Sequence, residues 1–160
     1  MKTLVLARHA KSSWDEADVD DHDRPLNDRG EHDAPRMAKR LAGTGVVLDA
    51  ILSSTALRAV TTAEVFAEVL GLPVEPDQRL YGASPSEITA IVAERDVDGV
   101  MVVAHDPGMS VLAGRFAPDI VHMPTCAVAT FTWADGSGDS WETALASAPT
   151  NWRFDAPRLS

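Results

Sequence analysis

The chain has 160 residues and a formal charge of −10, with 45% hydrophobic and 24% charged residues. This balance is typical of a soluble globular protein of one domain, expected here over residues 1–160, and excludes an intrinsically disordered chain. The net negative charge repels nucleic acid, and no run of Lys and Arg forms a basic patch, so we expect no nucleic-acid partner.

The chain begins with a predicted strand, a long loop and a helix. Residues 2–7 predict a buried strand of a parallel sheet, because their apolar side chains are continuous rather than alternating. The acidic stretch 11–28 predicts a long loop, and long ordered loops are often functional. Trp14 in that loop is either a substrate-facing aromatic or a packing residue. Residues 30–42 predict a helix, and Pro35 is expected to kink it or to delay its start.

A second strand and helix follow. Residues 48–53 predict the strand, and its small polar end leads into the next helix. Ser54 is expected to cap that helix, which ends at Gly71. Residues 74–75 are expected to form a short edge strand.

The third helix is expected to begin at Ser84 or Ser86 and to run to about residue 95. Residues 99–104 predict the most apolar strand of the chain, and residues 109–116 predict the fourth helix. Strands thus alternate with helices, as in proteins with a parallel sheet.

The C-terminal region predicts a hairpin. Residues 126–133 and 141–146 are expected to be its strands, joined by a turn at 135–138 that is rich in Asp, Gly and Ser. The predicted fold is therefore an α/β protein, a three-layer α/β/α sandwich with a mostly parallel central sheet and a C-terminal antiparallel hairpin.

The cysteine content and the first residues of the chain bear on the bonds that the protein can form and on its cellular location. Cys126 is the single cysteine, which excludes an intramolecular disulfide and a thiolate zinc cluster. The apolar start is too short for a signal peptide, and no stretch reaches the ~20 apolar residues of a membrane helix. We therefore expect a cytoplasmic protein with no membrane partner, and we expect a monomer.

Positively charged and imidazole side chains follow three predicted strands. Arg8 and His9 end the first, Arg58 lies one turn into the helix after the second, and His105 follows the strand 99–104. The carboxyl ends of parallel strands meet at one edge of a sheet, where ligands bind. Arg24 lies in the loop over this edge. An arginine in the first turn of a helix opposes the helix dipole unless an anion shares the site, so the set predicts a phosphate site.

Four short motifs occur in order along the chain, and they are Arg8-His9-Ala10, Arg24-Pro25-Leu26, Ser53-Ser54 with Arg58-Ala59, and Ala104-His105. In this order they resemble the histidine phosphatase superfamily, which also includes the cofactor-dependent phosphoglycerate mutases. The short chain and the Arg-Pro-Leu motif look like the SixA branch of small phosphohistidine phosphatases. The resemblance spans about residues 3–116.

The resemblance implies a role for each matching residue. His9 would be the nucleophile that accepts the phosphoryl group, while Arg8, Arg58 and His105 would hold the phosphoryl oxygens. Arg24 would be an additional ligand of those oxygens. The resemblance also implies a phosphatase that needs neither a metal nor a cofactor.

Phosphoryl chemistry requires the same kinds of side chain. A phosphate monoester is a dianion, so fixed donors such as arginine must surround its oxygens. A nucleophilic His9 must be neutral, with its other ring N–H held by an acceptor such as a backbone carbonyl, whereas His105 serves best protonated. Ser12 and Ser54 are further candidates for substrate binding.

The general acid is less well defined by the sequence. Larger members of the superfamily carry a glutamate near the position of residues 80–83, where this chain has no carboxylate. Asp106 is the candidate acid, since it resembles the His-Asp pair of the phytase-like branch. The alternative is that Asp106 is only a turn residue, because SixA-like sequences often have asparagine at that place. Glu87 and Asp18 are weaker candidates. A missing acid favours good leaving groups such as phosphohistidine.

The substrate is expected to be phosphohistidine in proteins or a similar small phosphorylated compound. The alternatives are a phosphatase of sugar or metabolite monoesters and a phosphate-binding module without turnover. A binding module needs the arginines but no nucleophile, so His9 favours catalysis. A mutase needs a lid that retains its intermediate, and this short chain has only the loop 11–28 as a candidate lid, which argues against a mutase. A Rossmann nucleotide-binding domain is excluded, because no glycine-rich fingerprint follows the first strand.

Overall fold

The computed structural model describes residues 1–134 and 140–158. The strands in this part of the chain are β1 (Lys2–Arg8), β2 (Ala50–Ser53), β3 (Val74–Pro76), β4 (Gly99–Ala104), β5 (Val128–Trp133) and β6 (Asn151–Asp155). The α-helices are α1 (Asp28–Gly43), α2 (Leu57–Leu70), α3 (Pro85–Ala93), α4 (Gly108–Phe116) and α5 (Trp141–Leu145), and short 3₁₀ turns lie at Asp21–Asp23 and Gln78–Leu80.

The strands form one sheet in the order β3-β2-β4-β1-β5-β6. The first four are parallel, whereas β5 runs antiparallel to β1 and β6 antiparallel to β5. The predicted mostly parallel sheet with a C-terminal antiparallel hairpin is confirmed. In this order β4 lies between β2 and β1, so the ends of the three strands that carry the predicted site are neighbours.

Helices cover both faces of the sheet, which gives the predicted three layers. Leu4 and Leu6 of β1 belong to the core shared with α3, α4 and α5. Val5 and Ala7 belong to the other core, shared with α1 and α2. All four side chains are fully buried. The continuous apolar run of β1 thus follows from a strand that is covered on both sides.

The second strand of the hairpin lies later in the chain than the sequence predicts. Residues 141–146 were expected to be a strand, but α5 occupies Trp141–Leu145 and the partner of β5 is β6. The side chain of Ser140 accepts from Thr143 N and caps α5. Trp141 and Ala144 are both buried, at the spacing that places them on one helix face. The predicted turn at 135–138 lies outside the described residues.

Two expectations about helix starts are wrong. The first helix begins at Asp28, earlier than predicted, because Asn27 caps it there by accepting from Gly30 N. It continues through Pro35 to Gly43. Ser54 does not cap α2, because the N-cap residue of that helix is Ala56. The Ser54 hydroxyl instead accepts from Ala56 N and forms a hydrogen bond with a histidine of the site. Of the two predicted caps of α3, it is Ser84 that forms the cap.

The long loop 11–28 is fixed at both ends against α1. Lys11 O accepts from Asn27 N at 3.0 Å, and Ser12 and Leu26 form an isolated antiparallel bridge. A Cβ on Gly30 would lie 2.1 Å from Lys11 O, so only glycine permits this close approach. The loop is therefore an ordered part of the fold. Of the helices in the described ranges, none is long and apolar enough to cross a membrane.

Candidate active site

The two predicted histidines meet at the carboxyl edge of the sheet. Arg8 pairs in register with Ala104, so His9 and His105 follow adjacent strands at the same level. Their ring centroids are 5.1 Å apart. His9 is 7% exposed and His105 is 9% exposed, so both imidazoles are largely shielded from water.

The ring of His9 is held in one tautomer. Its Nδ1 lies 2.7 Å from Ala10 O, and a carbonyl only accepts, so Nδ1 carries the proton. Nε2 then keeps a free lone pair. Burial, together with the smaller effects of the neighbouring His105 and Arg58, lowers the pKa of His9 to about 3, despite the opposing effect of the bond to Ala10. His9 is therefore neutral at physiological pH and suited to nucleophilic attack.

His105 is also neutral in this structure. Its Nε2 lies 2.7 Å from Ser54 Oγ, and its Nδ1 is buried without a hydrogen-bond partner. Burial, followed by the charge of Arg58, lowers the pKa of His105 to about 4. This differs from the expectation that His105 serves best protonated. A phosphate dianion beside the ring would raise that pKa, because an adjacent negative charge favours the protonated form.

Arg8 and Arg58 are held in the same manner, each by a carboxylate and a backbone carbonyl. Arg58 donates from Nη1 to Asp21 O at 2.6 Å and from Nη2 to Asp21 Oδ2 at 3.0 Å. Arg8 donates from Nη1 to Met123 O at 3.0 Å, and the same nitrogen lies 3.6 Å from Asp106 Oδ2. Both guanidinium groups are thus fixed through their terminal nitrogens.

Three buried nitrogens of the site lack a partner, namely Arg8 Nε, Arg58 Nε and His105 Nδ1. They are the buried side-chain N and O atoms without a partner in the described part of the chain. Leaving a buried donor unpaired costs about 1–3 kcal/mol, so such groups are rare unless a ligand satisfies them. Their concentration at one strand edge indicates an anion-binding site.

Arg24 and Ser12 contact each other in the loop. Arg24 donates from Nη1 to Ser12 Oγ at 2.7 Å and to Ser13 O at 3.1 Å, and from Nε to Asp21 Oδ1 at 3.1 Å. Its guanidinium carbon lies 3.5 Å from the centroid of the Trp14 ring, so this exposed tryptophan packs on the arginine. The loop therefore positions Arg24 through several independent contacts.

Asp106 is bound to the first turn of α4. Its carboxylate accepts from Ser110 N at 3.0 Å and from Ser110 Oγ, and Oδ2 also lies 3.6 Å from His122 Nδ1. The other two predicted acid candidates are less well placed. Glu87 accepts from Ser84 N in the cap of α3, and Asp18 is an exposed loop residue.

Two residues at the site were not predicted from the sequence. Asp21 contacts both Arg24 and Arg58, and Tyr81 donates its hydroxyl hydrogen to Asp21 at 2.6 Å. The Tyr81 ring also packs edge-on against His105, with centroids 5.6 Å apart. The three-residue spacing of Asp21 and Arg24 was the one available hint in the sequence.

Two cavities differ in their relation to these residues. A cavity of about 250 Å³ adjoins His105 and Asp106, and is lined by 82–85, 107–108 and Val111. A larger cavity of about 550 Å³ lies at the amino ends of the strands, beside Thr3 and Gly99. The larger one is remote from the histidines, and ligands of parallel sheets bind at the carboxyl ends, so the smaller is the one that adjoins the candidate site. Its lining includes His105 and Asp106 but not His9, Arg8 or Arg58. No group of three or more metal-ligating side chains occurs among residues 1–134 and 140–158.

Residues 4–89 match the sequence profile of the histidine phosphatase superfamily (branch 1). The chain belongs to this superfamily. A chloroplastic protein of Arabidopsis thaliana is 31% identical over 96% of this chain and 76% of its own length. The predicted membership and the prediction that the chain is a phosphatase are confirmed.

Solved structures with the same fold include two SixA proteins. One is assigned as a phosphohistidine phosphatase SixA from Nakamurella multipartitia, with a TM-score of 0.83, 26% identity, and coverage of 99% of this chain and 97% of that one. The other is the protein histidine phosphatase SixA complexed with tungstate, with a TM-score of 0.73, 25% identity, and coverage of 96% and 94%. The histidine phosphatase thus resembles SixA proteins over nearly its whole length.

The low pKa values of His9 and His105 predict a characteristic pH dependence. Both rings should stay neutral from pH 7 down to about pH 5, which NMR of the ring protons would show, with His9→Gln and His105→Gln used for assignment. At these two rings the unfolded chain binds more protons than the native one between the ordinary histidine pKa of 6.5 and about 4, so stability should fall as the pH drops through that window. A ring midpoint above pH 6 would contradict this prediction.

The same NMR titration can be repeated in the presence of inorganic phosphate. The bound anion should raise the midpoint of His105, because its charge stabilises the imidazolium. An unchanged His105 midpoint at saturating phosphate would show that this ring does not face the anion.

Proposed function

We propose that this histidine phosphatase hydrolyses phosphohistidine in proteins through a phosphoryl intermediate on His9, without a metal or other cofactor. The observation that carries the proposal is the neutral His9, with Nδ1 bound to Ala10 O and Nε2 free, next to three unpaired buried nitrogens. A nucleophile and fixed donors for the transferring oxygens are the two requirements of covalent phosphoryl transfer.

The proposed roles follow from these contacts. Arg8, Arg58 and His105 hold the phosphoryl oxygens. The unpaired Nε atoms of the two arginines supply donors for them, and so does His105 Nδ1 once the bound anion has led to protonation of that ring. Arg24 is a further ligand whose orientation Ser12 fixes. Ser54, 2.7 Å from His105 Nε2, sets the orientation of that ring and adjoins the substrate.

The reaction has two steps. In the first, the Nε2 lone pair of His9 attacks phosphorus, the bond from phosphorus to the leaving nitrogen breaks, and that nitrogen takes up a proton from solvent water. In the second, water attacks the phosphorus of phosphorylated His9, inorganic phosphate leaves, and the neutral imidazole is restored. An imidazole leaving group is readily protonated, so this route depends little on a protein acid.

Asp106 remains the proposed acid for oxygen leaving groups. Its Oδ2, 3.6 Å from Arg8 Nη1, places a carboxyl beside the proposed phosphoryl site. Its bonds to Ser110 and its closeness to Arg8 also support a role in holding Arg8. If Asp106 supplies a proton, Asp106→Asn should slow the hydrolysis of alkyl phosphates far more than that of phosphoramidate. If Asp106 only holds Arg8, the same variant should slow the hydrolysis of both substrates equally.

The cavity beside His105 and Asp106 supports phosphohistidine over sugar phosphates. Ala83, Pro85, Pro107 and Val111 contribute apolar side chains to its lining. The Ser84 hydroxyl in the same lining already accepts from Glu87 N. A sugar would leave several hydroxyls unpaired in such a cavity, which is costly, while a planar imidazole fits an apolar wall.

The proposal is tested by comparing kcat/KM for a phosphohistidine-containing protein, phosphoramidate, an aryl phosphate and glucose 6-phosphate. We expect phosphohistidine to exceed the sugar phosphate by roughly 100-fold or more, the range that unpaired polar groups produce. A sugar phosphate that performs equally well would instead support the small-molecule phosphatase. Phosphate binding without turnover of any substrate would support the binding module.

A further inference from the structure

Asp21 links three parts of the chain around the proposed phosphoryl site. Its Oδ1 accepts from Arg24 Nε at 3.1 Å, its Oδ2 accepts from Arg58 Nη2 at 3.0 Å, and the same Oδ2 accepts from the Tyr81 hydroxyl at 2.6 Å. Asp21 thus ties the loop 11–28 to the first turn of α2 and to the segment after the 3₁₀ turn Gln78–Leu80.

The charge state of Asp21 fits this arrangement. The bond from Tyr81, followed by those from Arg58 and Arg24, holds the pKa of Asp21 well below its usual range, against a smaller opposing effect of burial. The side chain is still 48% exposed. Asp21 is therefore an anion at all working pH values and can serve as a fixed partner for two cations.

Asp21 binds the terminal nitrogens of Arg58 and leaves its Nε without a partner. An arginine carries N–H groups on Nε and on both terminal nitrogens. Asp21 binds Nη1 through its backbone oxygen and Nη2 through its carboxylate, whereas Nε is buried and unpaired. The contact thus fixes the plane of the guanidinium and leaves the buried Nε–H, together with the second N–H of each terminal nitrogen, for the phosphoryl group.

Arg8 shows a similar pattern. A backbone oxygen, Met123 O, and a nearby carboxylate, Asp106, hold its terminal nitrogen, and its Nε is also buried without a partner. The repetition at two arginines from different elements, β1 and α2, is a second observation in favour of a shared purpose. A flexible side chain loses less entropy on binding when it is fixed beforehand.

We propose that Asp21 is a positioning residue that orients Arg58 and Arg24 for the transferring phosphoryl group. The proposal rests on the proposed function, because it requires the phosphoryl group to lie beside Arg58. Asp21 acts through the arginines and itself touches neither the phosphorus nor the leaving group.

The test compares Asp21→Asn with Asp20→Asn. Both variants remove one negative charge from the same loop, but the side chain of Asp20 is exposed and makes no capping bond to the 3₁₀ turn. Asp21→Asn should lower kcat/KM for an aryl phosphate by roughly 10- to 100-fold, as expected from a small misplacement of a catalytic group. It should also weaken binding of inorganic phosphate, whereas Asp20→Asn should leave both quantities unchanged.

A double-mutant cycle separates positioning from a general structural effect. If Asp21 acts through Arg58, adding Asp21→Asn to Arg58→Ala should cost much less than the same change in the wild type. Additive losses would overturn the proposal. Melting temperatures of all variants identify any variant that fails to fold. If Asp21→Asn does not fold, Asp21→Ser takes its place in the test.

Inorganic phosphate affinity also distinguishes this proposal from the proposed function. If Asp21 instead competes with the anion for Arg58, Asp21→Asn should bind phosphate more tightly than the wild type, which would overturn the positioning role. Because this measurement needs no turnover, it remains decisive for Asp21 even if the wild type proves to bind phosphate without hydrolysing it.

Discussion

Replacing His9 by alanine is expected to reduce kcat for an aryl phosphate by at least about a thousandfold, a typical cost of removing a catalytic nucleophile. His9 has no substitute in the proposed mechanism, because its Nε2 forms the new bond to phosphorus. The neighbouring His105 ring has its Nε2 2.7 Å from Ser54 Oγ and follows a different strand. The assay is run with excess chelator, so that any metal-dependent hydrolysis by a contaminant is suppressed.

His32→Ala is the matched control for this experiment. His32 is an exposed residue of α1, so its loss should leave kcat unchanged. If His9→Ala and the wild type were equally active in chelator, His9 would not be the nucleophile. If the wild type were inactive yet bound phosphate, the alternative of a binding module would gain support.

Replacing Arg58 by alanine is expected to lower kcat/KM by roughly 100- to 1000-fold, the effect of removing one fixed donor from a developing negative charge. Arg58 has a 7% exposed side chain, so its charge acts at close range with little screening by water. Arg58→Lys should recover only a small part of the loss, because a lysine keeps the charge but lacks the planar guanidinium that Asp21 holds. Steady-state kinetics and phosphate binding would measure both effects.

The control for Arg58 is Arg115→Ala, which removes an exposed arginine of α4. Unchanged activity in Arg58→Ala would contradict the assignment of Arg58 to the phosphoryl site. A loss confined to KM would mean that Arg58 binds the substrate and the transition state equally well.

The sheet could be predicted from the sequence because its strands have distinctive patterns. The unbroken apolar runs of β1 and β4 are typical of strands covered on both faces, and both lie where they were expected. The predicted strand at 141–146 was wrong because Trp, Ala and Leu in so short a segment fit both a strand and one turn of helix. The sequence alone does not decide between them; the Ser140 cap and packing on the core do.

The core of the site was predictable for a topological reason. Arg8, His9 and His105 follow strands that are neighbours in the sheet, so the order of strands and helices brings them together. Asp21 was missed because its contacts join residues 37 and 60 positions apart, and no local spacing encodes them. The neutral state of His105 was also missed, since burial can be judged only from the folded chain.

Some expectations concern properties of the whole protein. One domain over residues 1–160, a monomer and a cytoplasmic location stay predictions. Gel filtration at several concentrations would test the monomer, because self-association shifts the elution volume as the concentration rises.

Trapping the phosphorylated enzyme is the measurement on which the mechanism depends. Wild-type protein is mixed rapidly with excess substrate, quenched in base to preserve phosphohistidine, and digested for mass spectrometry. We expect a phosphoryl group on His9 that forms within one turnover, is lost in acid, and does not form in His9→Ala. A phosphoryl group on another residue, or full turnover with no phosphorylated protein at any time, would contradict covalent catalysis by His9.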